Sequence, residues 1–258
     1  MSTEGPANPA PLFRLGDAFP RSEPGAGGAL PPGQREIRSF PRYGTHFGRR
    51  DPAPPLVPRI ELAGPGIAAE LDPETLQELP RVDAVADFHC VAGWTARGVR
   101  WGGVRLRDVY ERFVAREGGP APAISHIRAV GRDGFRGVLM LEDALAGDVL
   151  VADRLDGAPL PLEHGGPLRL VSPSQYGYKS IKYLERIEFH TKRPSDRHKR
   201  LVVGALIKSA GVHPRARVWE EERHPLFPGP SQRFVNIRVI HPFAYLLGYL
   251  GARLGPKD

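Results

Sequence analysis

Cys90 is a candidate for a chemical role, because it carries the single thiol among the 258 residues. It lies near the end of the apolar run AVADFHCV, residues 84–91, which predicts a buried strand. A lone cysteine in such a strand is most often an inert small hydrophobe. Here small residues follow it and would let a bulky ligand approach the backbone. Trp94 and Trp101 are expected to bracket an exposed loop, unless both pack in the core.

A second group of chemically capable side chains lies in the segment LEHGGPLRLVSPSQYGYKSIKYL, residues 162–184. Its possible donors are His164, Arg169, Lys179, Ser180 and Lys182. The planar guanidinium of Arg169 suits a phosphate, and Ser180 with nearby main-chain N–H groups could complete an anion-binding nest. Taken singly, His164 could be a solvent-facing turn residue and the two lysines surface residues on an edge strand.

The elements that must position these groups follow a mixed pattern of helices and strands. Helices are predicted at DPETLQELP, with Asp72 as the N-cap and Pro73 at the first position, at LRDVYERFVARE (106–117), at LEDALAG and at 195–211. Strands are predicted from Ile60 and at SHIRAV, GFRGVLM, LRLVSP, IKYLERIEF and FVNIRVI, and the pair Asp156–Gly157 predicts a tight turn. Because no regular βαβ rhythm appears, the fold class predicted is α+β.

Composition suggests three regions. Residues 1–40 are rich in Pro, Gly and Ala and predict a mobile or extended arm, residues 41–194 the main domain, and residues 195–258 an extension packed on it. In that extension, WEEERHPLFPGPSQRF could shape a pocket and HPFAYLLGYLGARL could dock as a short helix. No export signal is visible at the N-terminus and the apolar stretch Pro242 to Leu250 is too short to span a bilayer, so a cytoplasmic protein without a transmembrane segment is expected.

The net charge of the chain is compatible with several kinds of partner. The formal net charge is +7, which would suit nucleic acid, an anionic cofactor or an acidic partner. No basic run is interleaved with stacking aromatic residues, so a solvated basic surface is favoured over a nucleic-acid site. A nucleic-acid binder would show an affinity that falls steeply with salt.

Three motifs, in order, resemble the molybdopterin-binding domain of the sulfite oxidase family: HCVAGW…WGGVRL, DGF…LED and LPLEHGGPLRLVSPSQYGYKSIKYLERIEF. The resemblance runs from about Tyr43 to Phe189. It is closer to the catalytic subunits of bacterial protein-methionine-sulfoxide reductases and their short relatives than to sulfite oxidase itself. It implies a mixed-sheet fold, a molybdenum-molybdopterin cofactor, and two-electron oxygen-atom transfer on a small or sulfoxide-type substrate.

The resemblance also implies roles for individual residues. Cys90 matches the thiolate that binds molybdenum, and a thiolate is a soft ligand suited to a sulfur-rich metal centre. The positions that match cofactor contacts are Tyr43, His46, His164, Arg169, Ser180, Ile181 and Lys182. Of these, Tyr43 and His46 would belong to an N-terminal arm that touches the pterin.

One departure from the family pattern bears on the substrate. Sulfite oxidases carry an arginine soon after the metal-binding cysteine, whereas this chain has Gly93 and Trp94 there. Arg97 is therefore a candidate catalytic residue that could reach the pocket from the same loop. No haem-binding domain is recognisable, so a separate electron-transfer partner is expected. The alternative is a protein of the same fold that binds the cofactor without redox activity.

Overall fold

Strands dominate the computed structural model, which describes residues 13–14, 29–38, 40, 51–91, 93–115, 123–194 and 215–222. The strands are β1 Phe13–Arg14, β2 Arg35–Ile37, β3 Ile60–Gly64, β4 Ile67–Leu71, β5 Arg81–His89, β6 Trp94–Arg105, β7 His126–Gly131, β8 Arg136–Met140, β9 Leu150–Leu155, β10 Ala158–Pro159, β11 Arg169–Val171 and β12 Leu184–His190. The helices are α1 Pro73–Glu78, α2 Leu106–Phe113 and α3 Leu141–Ala144. Short 3₁₀ turns cover Leu162–His164 and Gly177–Lys179.

The first sheet is built around the long strand β6. Strand β5 pairs antiparallel along one edge of β6, with a bulge between Ala86 and Phe88. The other edge is shared, because β2 pairs parallel with Trp94–Ala96 and β9 pairs antiparallel with Trp101–Arg105. Strands β10 and β11 pair with β9, and β1 pairs with β5. This sheet carries Cys90 at the end of the β5–β6 hairpin.

The second sheet has the order β4-β3-β12-β7-β8. Its pair β3–β12 is parallel and the other pairs are antiparallel, so both sheets are mixed. With only three short helices in the described residues, this architecture confirms the predicted α+β class. None of the helices in these residues is long and apolar enough to cross a membrane.

Two clusters of buried side chains form the core. The larger joins β3, β7 and β12 to helices α1 and α2, where Leu76 and Val109 are buried. The smaller covers one face of the first sheet and contains Cys90, Phe88, Trp94 and Trp101. The expectation of an exposed loop between the two tryptophans is wrong, because they lie on β6 and are 7% and 1% exposed. Core packing, the alternative, is confirmed.

Local sequence signals place most of the other elements correctly. Helix α1 begins as predicted, because the Asp72 carboxylate accepts a hydrogen bond of 2.8 Å from the Thr75 main-chain N–H. The predicted turn is present, with Asp156 and Gly157 at φ 52° and 83°. Strands β4, β6 and β9 were not predicted. The predicted helix at 195–211, the strand FVNIRVI and the segment HPFAYLLGYLGARL lie outside the described residues.

Candidate functional site

Cys90 lies in a closed turn between β5 and β6. Its main-chain N–H donates to the Trp94 carbonyl at 2.8 Å, and its own carbonyl accepts from the Gly93 N–H at 2.9 Å. The same carbonyl accepts a second bond, of 3.2 Å, from the Gln34 side-chain amide. Cys90 is 5% exposed and belongs to the same buried cluster as Phe88.

The second chemically capable segment packs directly against this hairpin. A Cβ built on Gly177 would lie 2.5 Å from Cε1 of Phe88 and 3.3 Å from the His89 carbonyl oxygen. Only a residue without a side chain allows this approach. The 3₁₀ turn Gly177–Lys179 therefore brings Ser180 and its neighbours up to the end of β5, although about ninety positions separate them in the chain.

Arg169, on β11, is the most deeply buried charged group at this junction, with an exposure of 1%. Its guanidinium donates to the carbonyls of His164, at 2.7 Å, and Ser180, at 3.4 Å. The guanidinium carbon also lies 5.6 Å from the ring centroid of Phe88 and 4.9 Å from that of Trp101. Cation–π contacts and two neutral carbonyls thus surround this cation.

The charge of Arg169 is only partly satisfied. Burial lowers its pKa to about 9, opposed in part by Tyr183, so the guanidinium is charged at neutral pH. Its Nε is buried without a hydrogen-bond partner, and within the described residues it forms no ion pair with a carboxylate. A buried cation in this state is costly unless an anionic group meets it.

His164 lies beside Arg169 and is covered by the N-terminal arm. Its ring stacks on Phe40, with centroids 4.9 Å apart and an interplanar angle of 13°. The Phe40 ring also meets Phe88 and Trp101 edge-on, at 4.9 and 5.6 Å. Sequence reasoning set residues 1–40 aside and so missed Phe40, because a single aromatic residue in a Pro- and Gly-rich stretch carries no periodic signal.

The remaining predicted contacts lie on one short stretch after the 3₁₀ turn. Ser180 is buried, and its Oγ accepts a hydrogen bond of 3.0 Å from the Ser172 N–H, which leaves its own proton free to donate. Ile181 packs its side chain into the larger core cluster, so only its main chain could contact a ligand. Lys182 donates to the Glu163 carbonyl at 2.8 Å, and its stem lies against Gly165, which has φ 97°.

The alternative in which both lysines of this segment lie on the surface is wrong for Lys179. That residue is 3% exposed and donates to the Val138 carbonyl. Its position in the 3₁₀ turn, rather than on an edge strand, explains the burial.

Arg97 lies away from the Cys90 side chain. Its Nε is 2.9 Å from a Glu36 carboxylate oxygen and its Nη1 is 3.7 Å from Asp87. The register pairs Phe88 with Ala96, both in the cluster that holds Cys90, while Arg97 meets Asp87 at the bulge beyond. The structure thus brings together Cys90, His164, Arg169, Ser180, Ile181 and Lys182, and leaves Arg97 outside that group. Tyr43 and His46 lie outside the described residues.

One family model matches more than half of the chain. The model described as oxidoreductase molybdopterin binding domain matches residues 61–198, which include Cys90 and the whole segment 162–184. The chain belongs to this family. The match runs from β3 to β12, so it includes the second sheet, all of the first sheet except β1 and β2, and the junction around Arg169.

Several curated proteins are similar to this chain in sequence. The chain is 33% identical over 150 residues to the uncharacterized oxidoreductase YuiH of Bacillus subtilis (strain 168), an alignment that covers 58% of this chain and 69% of YuiH. It is 32% identical over 132 residues to the protein-methionine-sulfoxide reductase catalytic subunit MsrP of Xanthomonas campestris, covering 47% of this chain and 40% of MsrP. A Gluconobacter oxydans MsrP is 28% identical over 222 residues, 77% of this chain and 68% of that protein.

One solved structure that is similar to part of this chain is the sulfane dehydrogenase SoxCD from Paracoccus pantotrophus. Its identity with this chain is 22% and its TM-score 0.45, over 52% of this chain and 38% of the SoxCD chain. Of the sequence relatives above, the Xanthomonas MsrP is matched over about two fifths of its own length.

The residues at the junction fit a molybdopterin cofactor. Such a cofactor is anionic through its phosphate, and the buried Nε of Arg169 lacks the acceptor that a phosphate or pterin oxygen would provide. The family's cofactor brings two sulfur ligands to molybdenum, so a single protein thiolate, Cys90, completes a sulfur-rich donor set. Arg169 lies over the Phe88 ring, and Cys90 belongs to the same buried cluster as that ring.

Proposed function

We propose that this protein is a molybdenum-molybdopterin oxidoreductase in which the Cys90 thiolate binds the metal. The observation that carries the proposal is the meeting of two segments: the buried, anion-deficient Arg169 lies over the ring of Phe88, which belongs to the same buried cluster as Cys90. When bound, the cofactor supplies a two-electron redox centre that can exchange an oxygen atom.

In this proposal, different residues of the chain bind the metal and the pterin or its phosphate. Cys90 holds the metal from the hairpin turn, and Arg169 binds the phosphate or pterin from the opposite segment. The further contacts proposed are the His164 ring, the Ser180 hydroxyl, the main chain of Ile181 and the Lys182 ammonium. Tyr43 and His46 stay predictions from the resemblance. Burial of Cys90 and Arg169 excludes water from the bound group.

We propose a small sulfoxide-type substrate and a separate electron-transfer partner. Two of the matched relatives are named as catalytic subunits of protein-methionine-sulfoxide reductases, which supports the sulfoxide class. The lack of an arginine directly after Cys90 argues against sulfite. Arg97 is a further candidate for a catalytic role. An Arg97→Ala enzyme that keeps its rate and its affinity for substrate would show that the residue has no such role.

The test is elemental analysis for molybdenum in protein made by a host that synthesises the cofactor. Wild-type protein is expected to hold close to one molybdenum per chain, and Cys90→Ser to lose the metal or alter its absorption spectrum, because a hydroxyl is a poor substitute for a thiolate. Leu76→Ala, in α1, is the control, since it weakens the fold without touching the site.

Three results would decide the matter. Folded wild-type protein without molybdenum would contradict the proposal, as would a Cys90→Ala variant that kept both metal and turnover. Wild-type protein that holds molybdenum but reduces no sulfoxide or N-oxide, and oxidises no sulfite, would favour the alternative of a non-redox cofactor-binding protein.

A further inference from the structure

The turn that carries Cys90 is held from its outer side by the N-terminal arm. Gln34 stands just before β2 and donates its side-chain amide to the Cys90 carbonyl at 3.2 Å. The next residue, Arg35, donates its main-chain N–H to the Gly93 carbonyl at 3.1 Å. Two neighbouring residues of the arm therefore bond to both ends of the turn.

A chain of buried polar groups continues from Gln34 into the hairpin. The Thr95 hydroxyl donates to the Gln34 side-chain carbonyl at 3.2 Å, and Nδ1 of His89 lies 2.9 Å from the same hydroxyl oxygen. Because Thr95 has a single hydroxyl proton and gives it to Gln34, the oxygen accepts from a protonated Nδ1 of His89. His89 thus donates to Thr95, Thr95 donates to Gln34, and Gln34 donates to the Cys90 carbonyl, which is the final acceptor.

The chain is well protected from water. Thr95 is wholly buried and His89 is 6% exposed, so each bond is made where water does not replace it readily. His89 and Thr95 are also directly paired in the β5–β6 register. His89 and Thr95 are therefore fixed by strand pairing as well as by their hydrogen bonds.

We propose that Gln34, Thr95 and His89 are positioning residues for the metal-binding thiolate. This inference rests on the proposed function, since it concerns the ligand geometry of Cys90. The Cys90 carbonyl is held by Gln34, and this sets the backbone from which the thiol projects. A residue remote in sequence, 56 positions before Cys90, thereby controls the orientation of the ligand.

The first arm of the test uses cofactor-free protein and the reactivity of the single cysteine. Alkylation of Cys90 by iodoacetamide reports how often the turn opens, with no background from other thiols. Gln34→Ala and Thr95→Val are expected to raise the rate about fivefold each, as loss of one hydrogen bond would. Thr95→Ser keeps the hydroxyl and should react at the wild-type rate. Leu76→Ala lowers stability elsewhere and is the matched control.

The second arm uses protein loaded with the molybdenum cofactor and follows the thiolate-to-molybdenum charge-transfer absorption. Gln34→Ala and Thr95→Val should shift this band, and Thr95→Ser should restore it, whereas a change in general stability would leave it in place. Wild-type bands in both variants, or alkylation rates equal to wild type, would overturn the inference while leaving the proposed function standing. Wild-type protein without molybdenum would overturn both.

Discussion

Arg169 is the residue whose burial and charge bear most directly on what the site binds. A guanidinium with 1% exposure keeps its charge at neutral pH, yet it meets only two carbonyls and two aromatic rings. Structural arginines in protein interiors are paired with carboxylates, because the desolvation of an unpaired charge costs several kcal/mol. The missing partner of Arg169 is thus best explained by an anion that binds there.

Arg169→Met tests this explanation, since it removes the charge and keeps much of the volume. The free energy of unfolding of cofactor-free protein should change by less than about 1 kcal/mol, because the loss of two hydrogen bonds is offset by the removal of a buried charge. Affinity for the cofactor should fall by about tenfold or more, as expected for a lost charge-assisted bond. Chemical denaturation and molybdenum content measure the two effects. A loss of several kcal/mol in cofactor-free protein would mean that Arg169 is structural.

The β5–β6 hairpin and the 3₁₀ turn Gly177–Lys179 form the site as a pair of elements. The hairpin supplies Cys90 and Phe88, and the turn lies against the Phe88 ring through Gly177. The bulge in the hairpin turns Arg97 towards Asp87, away from this contact. The separation between the Cys90 turn and the segment that carries Ser180 therefore depends on the fit between Gly177 and the Phe88 ring.

Gly177→Ala is expected to push these elements apart. The added methyl would overlap the Phe88 ring, so we expect a loss of about 1–3 kcal/mol in the free energy of unfolding and a lower molybdenum content. Gly147→Ala is the matched control, because a Cβ there has no atom within 4 Å. Thermal denaturation of both variants measures the difference. Equal stability of the two would show that the contact with Phe88 tolerates a methyl group.

At the scale of the whole molecule, the described C-terminal residues 215–222 return to the loop that precedes Ser180. The Tyr176 N–H donates to the Ala216 carbonyl at 2.9 Å, and its hydroxyl donates to the buried Glu221 carboxylate at 2.7 Å. Arg217 pairs with Asp143 on α3, whose pKa is raised by burial and lowered in part by this arginine. Residues 215–222 thus stabilise the loop that precedes Ser180, although they lie outside residues 61–198, which the family model matches.

Tyr176→Phe should weaken the contact between this loop and residues 215–222. The buried Glu221 carboxylate would lose a donor, which we expect to lower the free energy of unfolding by about 1–3 kcal/mol. Tyr110→Phe is the control, because the Tyr110 hydroxyl donates to no described residue while its ring packs on Phe189. Denaturant titration of both variants gives the comparison. If the Tyr176→Phe protein is as stable as the Tyr110→Phe protein, the hydrogen bond to Glu221 does not stabilise the loop.

Sequence alone determined the features that depend on neighbours in the chain. The cap of α1 at Asp72, the turn at Asp156 and the ordered motifs around Cys90 and Arg169 are local, because each is set by residues a few positions apart. The motifs were sufficient to identify the family, and the mixed order of helix and strand patterns was sufficient to predict the α+β class.

Tertiary structure alone decided what lies next to the site. Strand β6 was not predicted because its glycines interrupt the alternation of apolar residues, and because two of its residues, Arg97 and Gly98, lie opposite the single residue Asp87 of β5. The partners that sequence reasoning missed, Gln34 and Phe40, come from an arm with little pattern of its own, and reach Cys90 and His164 through the parallel pairing of β2 with β6. Strand register and ring packing join residues far apart in the chain, and no local propensity encodes which of them will meet.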